Sequence, residues 1–234
     1  MTQYIASILK GLLVTLLALN IFNCASTPPV TPEVVVDPLR FSQVVAEFKS
    51  ADSLQMPRRN STLFVGSSTI QRWETLAADF PELNVINRGI GGSHMSDLIY
   101  YMDDIVFPYR PSAIVVYEGD NDIAAGKTPE RVLADFDLFV AQASEKLPGK
   151  SIFFVAIKPS VSRVDHLERM ASANALIEAR TKENENLYFI DVFTPMLDDA
   201  GQPRADVFVE DNLHLNEAGY ALWAKHVRMG LGLD

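Results

Sequence analysis

Thr62-Leu63-Phe64-Val65-Gly66-Ser67-Ser68 is the stretch on which the reading of this chain turns. Four residues suited to a buried strand run into a glycine and two serines, and residues 69–80 then carry a helical pattern. Strand, tight turn and helix open a parallel β–α–β unit, and the same order repeats downstream. β-rich runs stand at Asn84-Val85-Ile86-Asn87, Ala113-Ile114-Val115-Val116-Tyr117, Ile152-Phe153-Phe154-Val155-Ala156 and Leu187-Tyr188-Phe189-Ile190. Several are almost continuously apolar, as strands covered on both faces are. Helical patterns separate them: residues 95–106, a segment opened by Thr128 and Pro129, residues 165–182 and residues 217–229. This alternation predicts an α/β fold, a three-layer α/β/α sandwich around about five parallel strands.

The 234 residues suit one folded domain, expected over residues 39–234. With 48% hydrophobic and 21% charged residues, the composition is that of an ordinary globular protein. A net charge of −10 without any basic run excludes a nucleic-acid partner, because phosphate binding needs a basic footprint. The N-terminus differs in character. Lys10 precedes an apolar stretch through Phe22, and the single cysteine, Cys24, follows at once. Residues 1–23 read as a signal peptide, and Cys24 stands where a bacterial lipoprotein is lipidated, although Asn23 replaces the usual small residue. A cleaved secretory signal and a retained membrane anchor are the alternatives. All three export the domain, to a membrane-anchored place in the cell envelope or to the periplasm. Residues 24–38, with Pro28, Pro29, Pro32 and Pro38, read as a tether. The domain itself then has no cysteine, so its core alone must stabilise it.

Ligands of parallel sheets bind beyond the carboxyl ends of the strands. Three blocks lie there: Gly66-Ser67-Ser68, Asn87-Arg88-Gly89-Ile90-Gly91-Gly92 and Gly119-Asp120-Asn121-Asp122. A fourth, Asp211-Asn212-Leu213-His214, precedes the last helix. Ser68 at a strand-to-helix turn can be a nucleophile, with N–H groups of the helix start beside it. The plainer reading is a pair of helix-capping serines. His214 can accept the serine proton while Asp211 fixes its tautomer, although an Asp-x-x-His pair can equally cap a surface turn. Gly92 and Asn121 supply N–H donors of the kind an oxyanion needs. Together they make an acyl-transfer site needing no cofactor.

Competing readings are weaker. The glycine loop lacks the last glycine of a dinucleotide fingerprint, and Glu118, Asp120 and Asp122 lack the spacing of a calcium loop, so no metal is expected. His94 either lines the pocket or faces solvent from its loop; His166 and His226 read as surface residues. Trp73 and Trp223 read as core.

Each block is unspecific alone, but all four occur in order and in register with the strands. On them the chain resembles the SGNH hydrolases, a branch of the GDSL-type lipases and esterases, from about residue 62 to residue 228. The resemblance implies a flavodoxin-like sandwich, with Ser68, Asp211 and His214 as catalytic residues. It also implies an oxyanion hole formed by the Ser68 N–H, Gly92 and Asn121. The family's usual aspartate before the nucleophile is here Ser67, so either serine of the doublet could attack; spacing from Gly66 favours Ser68. The implied activity is hydrolysis of carboxylic esters, of short acetyl-like acyl groups given the absence of a long apolar lid segment. Small-molecule or glycan esters are the expected substrates, with the membrane met only through the N-terminal anchor. An acyltransferase using the same site and a non-catalytic glycan- or lipid-binding lipoprotein are the alternatives.

Overall fold

In a computed structural model the described residues are 37–233. The signal-like stretch 1–23, Cys24 and residues 24–36 of the tether lie outside them.

Five strands form one parallel sheet: β1 (Thr62–Gly66), β2 (Val85–Gly89), β3 (Ala113–Tyr117), β4 (Ser151–Val155) and β5 (Leu187–Ile190), in the spatial order β2-β1-β3-β4-β5. The helices are α1 (Ser42–Leu54), α2 (Ser68–Gln71), α3 (Leu76–Asp79), α4 (Met95–Ile105), α5 (Asp120–Ala124), α6 (Pro129–Lys146), α7 (Leu167–Thr181) and α8 (Glu217–Leu231).

Side-chain alternation along the strands sorts the core into two layers. Leu63 and Val65 of β1 pack with Ile114 and Val116 of β3 against residues of α1, α4, α6 and α7. Phe64, Val115 and Tyr117 point the other way, toward α2, α3 and α8. The expected three-layer sandwich is therefore observed. The interior strands β1, β3 and β4 are covered on both faces, which explains why their sequences are nearly all apolar. On the second face Trp73 and Trp223 are both buried, as their sequence context implied, in an aromatic cluster with Phe64, Phe80 and Tyr117. Each such ring pair is worth about 0.5–1.5 kcal/mol beyond its buried area.

One helix departs from expectation. Residues 69–80 form two short helices, α2 and α3, with a turn between them. Asp79 Oδ2 accepts from both Trp73 Nε1 (2.6 Å) and Thr75 Oγ1 (2.6 Å), and these side-chain bonds stabilise the turn in place of a continuous helical ladder. The break leaves Trp73 and Phe80 both packed on Phe64.

Strand order reverses at β1, which pairs with β2 on one side and β3 on the other. Such a switch point is where open parallel sheets place their ligand crevice, beyond the carboxyl ends of the strands. The first three sequence blocks all follow the strands around it.

Candidate active site

The turn after β1 depends on Gly66. Its φ is +145°, and a Cβ there would stand 2.1 Å from the Tyr117 carbonyl oxygen. Without a side chain the backbone passes close to β3, and Ser67 N–H donates to that carbonyl at 3.1 Å. Ser67 then caps α2 by position, but its side chain makes no capping bond and is buried. Ser68, the first residue of α2, is half-buried and faces the crevice region occupied by His214. The doublet is thus resolved geometrically: only Ser68 meets the imidazole.

Ser68 Oγ lies 2.9 Å from His214 Nε2, and His214 Nδ1 lies 2.6 Å from Asp211 Oδ2. The turn that presents this pair is fixed locally. Asp211 Oδ1 accepts main-chain N–H groups of Leu213 (2.9 Å) and His214 (2.8 Å), and Val209 N–H donates to the His214 carbonyl (2.9 Å). Asn212 takes the left-handed conformation, φ +57°, that the tight turn requires. The imidazole bond, then those main-chain donors, hold the Asp211 carboxyl well below the usual carboxylate range, against a weak opposing effect of burial. It is therefore ionised and fixes the proton of a neutral imidazole on Nδ1, leaving Nε2 free to accept from Ser68. Asp211 is largely exposed, so this attraction sets geometry more than stability.

Three groups are expected to donate N–H bonds to an oxyanion: Ser68, Gly92 and Asn121. The N-terminal N–H groups of a helix have no intrahelical acceptor, which applies to Ser68 at the start of α2. Gly92 has φ +80°, and a Cβ there would meet nothing within 4 Å, so it borders open space. The Asn121 amide is held at both ends: Nδ2 donates to the Ser93 carbonyl (3.0 Å), while Oδ1 accepts from Arg163 Nη2 (3.0 Å). One Nδ2–H remains for a ligand.

Beneath the crevice lies a buried polar layer. Ser93 Oγ bonds Glu118 Oε1. Burial pushes the Glu118 carboxyl well above its usual range, and the nearby Asp122 charge adds to this. Burial also pushes Asp120 up, but the Lys158 ammonium (3.0 Å) and the Arg163 guanidinium (2.5 Å) outweigh it and keep Asp120 charged. Asp122 pairs with Lys127 at 2.7 Å. Glu118, Asp120 and Asp122 thus diverge to separate partners, and among the described residues no three His, Cys, Asp or Glu converge as a metal site. His94 is buried beside Asp122 rather than facing solvent, and desolvation lowers its pKa below the ordinary histidine value. His166 and His226 are half-buried.

Of the residues singled out on the sequence for the site, Ser68, His214 and Asp211 are joined by hydrogen bonds and Asn121 is bonded to Ser93, the neighbour of Gly92, while Cys24 lies outside the described residues. Three charged residues at the site were not singled out: Arg163, Lys158 and Arg40. Arg40 donates to the Gly92 carbonyl (3.2 Å) and to Asp97 (2.9 Å). Their partners lie 38 to 57 residues away in sequence, and no local spacing announces such contacts.

A serine hydroxyl hydrogen-bonded to an imidazole that a carboxylate orients is an arrangement equipped for acyl transfer. Comparison with known proteins agrees. Residues 60–222 match the GDSL-like Lipase/Acylhydrolase family. No curated protein sequence matches the chain. Similar solved structures include a Streptococcus pneumonia protein provisionally named a platelet activating factor, at 20% identity and TM-score 0.72, covering 80% of this chain and 91% of that one. A GDSL-like lipase from Bacteroides thetaiotaomicron is 18% identical with TM-score 0.68, covering 84% and 97%. A catalytic mutant of an acetylxylan esterase from Geobacillus stearothermophilus is 17% identical with TM-score 0.62, covering 76% and 96%.

Proposed function

Since the chain belongs to the GDSL-like lipase/acylhydrolase family, a family of ester-cleaving enzymes, we propose that it hydrolyses short-acyl carboxylic esters through an acyl-enzyme on Ser68. The observation that carries this reading is the hydrogen-bonded chain Ser68–His214–Asp211, with spans of 2.9 and 2.6 Å.

The cycle has two halves. Ser68 Oγ forms a bond to the ester carbonyl carbon as its proton passes to His214 Nε2. The carbonyl oxygen becomes an oxyanion that accepts hydrogen bonds from Ser68 N–H, Gly92 N–H and Asn121 Nδ2–H. Asp211 stabilises the imidazolium formed in this step. Collapse of the tetrahedral species breaks the bond to the alkoxy oxygen, which leaves as an alcohol carrying the proton from His214. Water then attacks the acyl-enzyme while His214 takes its proton. The second collapse releases the carboxylic acid, and the proton returns to Ser68 Oγ.

The absence of a long lid segment from the sequence favours small acyl groups, and the likeness to an acetylxylan esterase fits acetylated glycans as substrates. The signal-like N-terminus and Cys24 support export and attachment at the cell envelope, where such polymers are met. A hydrolysis series over acetyl, butyryl, octanoyl and palmitoyl nitrophenyl esters, with acetylated xylan beside it, tests the reading. The expected kcat/KM is highest for acetyl, with acetate released from the polymer; preference for octanoyl or longer would overturn the short-acyl assignment. Chain release into water rather than onto an added alcohol separates hydrolase from transferase.

A further inference from the structure

Asn121 is useful to an oxyanion only if its NH2, not its carbonyl, faces the crevice, and the two ends of the amide are nearly the same shape. We propose that Arg163 is a positioning residue that fixes this orientation, acting on the reaction only through Asn121. The inference rests on the oxyanion role proposed above for Asn121.

Arg163 lies in the 3₁₀ segment Val161–His166, at a point where the backbone leaves helical geometry (φ −125°, ψ 27°). Its guanidinium is two-pronged. Nη1 meets Asp120 Oδ1 at 2.5 Å and Nη2 meets Asn121 Oδ1 at 3.0 Å, so adjacent residues of α5 are gripped by one rigid group. A guanidinium has donors only and a carbonyl has none. Arg163 therefore demands the oxygen of Asn121 on its side, and the Ser93 carbonyl demands the nitrogen on the other. Turning the amide over would set donor against donor at Arg163 and acceptor against acceptor at Ser93. With Arg163 removed, only the single bond to Ser93 opposes that turn. The same segment reaches the base: Ser162 N–H donates to the Asn212 carbonyl (3.1 Å), inside the turn that carries Asp211 and His214. That contact belongs to the Ser162 main chain, so the Arg163 side chain itself reaches the site only through Asp120 and Asn121.

Asp120 does not depend on Arg163 alone, because Lys158 remains 3.0 Å away. An Arg163→Met variant keeps the aliphatic bulk and leaves that buried carboxylate paired, so the fold is expected to survive.

The test is a cycle of four enzymes, wild type, Arg163→Met, Asn121→Ala and the double variant, with kcat, KM and thermal midpoint measured for each. Complete removal of an oxyanion donor costs about 10²–10³ in kcat, and a misoriented amide costs a part of that, so Arg163→Met is expected to lose about tenfold or more. KM is expected to stay within a factor of two, and the double variant to match Asn121→Ala within threefold. Arg163→Lys, a one-pronged cation, is expected to recover little of the lost kcat even where it restores the thermal midpoint. The proposal is overturned if Arg163→Met retains kcat within twofold of wild type. It is equally overturned if the double variant falls below Asn121→Ala by the factor seen for Arg163→Met alone, which is the behaviour of a general structural role. An Asn121→Ala enzyme with wild-type kcat would instead sink the oxyanion reading, and the Arg163 assignment with it.

Discussion

Replacing Asp211 by asparagine separates what this carboxylate does for the base from what it does for the turn. In the structure Oδ1 accepts two main-chain N–H groups at 2.9 and 2.8 Å, while Oδ2 faces His214 Nδ1 at 2.6 Å. An asparagine has one oxygen to offer. Placed toward the main chain, it keeps both turn bonds; placed toward the imidazole, it leaves two N–H donors facing an NH2. Each lost bond costs about 0.5–1.5 kcal/mol, so the second orientation lies about 1–3 kcal/mol higher. The asparagine NH2 therefore faces Nδ1 and draws it as an acceptor. The ring proton moves to Nε2, where it points at Ser68 Oγ and removes the acceptor the nucleophile needs. By analogy with the same substitution in Ser-His-Asp enzymes, kcat is expected to fall by about 10⁴, with KM changed little. The thermal midpoint should stay near wild type, because the turn is intact. Asp211→Ala loses both turn bonds as well and is expected to melt roughly 2–4 °C lower per kcal/mol lost. Steady-state hydrolysis of nitrophenyl acetate and a thermal melt on the three proteins measure both. An Asp211→Asn enzyme retaining more than a tenth of wild-type kcat would refute the tautomer argument, and one as unstable as Asp211→Ala would refute the assignment of Oδ1 to the turn.

Two glycines of the site should respond in opposite ways. Gly66→Ala sets a Cβ 2.1 Å from a main-chain oxygen of β3, and its cost should lie at the large end for single substitutions, about 3–5 kcal/mol, seen as insoluble or low-melting protein. Gly92→Ala meets no atom, so only the left-handed backbone opposes it; it should cost about 1–2 kcal/mol of stability but lower kcat more than the melt implies. Glu118→Gln tests the raised pKa of this buried acid. The raised pKa means that the folded state keeps a proton which the unfolded chain releases above about pH 4.3, so wild-type stability declines as pH rises through that window. Melts from pH 4 to pH 8 should show the glutamine variant gaining on wild type as pH increases, and a constant offset would contradict the assignment.

The sheet was legible because buried parallel strands write themselves as apolar runs, and all five fell within about two residues of the observed bounds. Ser68, Gly92 and Asn121 could be singled out because each follows the end of its strand within four residues, where parallel sheets gather ligand-binding groups. Asp211 and His214 needed the resemblance, since Asp-x-x-His alone also describes a surface turn. The break between α2 and α3 was hidden: it depends on Asp79 accepting from Trp73 and Thr75, a choice that helical periodicity does not record. Arg163, Lys158 and Arg40 were hidden for another reason. Their partners are brought by the fold from distant parts of the chain, and a solvated surface face carries the same residue types.

The central claim is that Ser68, and not its neighbour Ser67, is the nucleophile activated by His214. Treatment with a fluorophosphonate, followed by mass mapping of the labelled peptide, addresses it most directly. The wild type and Ser67→Ala are expected to carry one adduct on Ser68, His214→Ala to label far more slowly, and Ser68→Ala to stay unlabelled. An adduct on Ser67, or equal labelling of wild type and Ser68→Ala, would contradict the account.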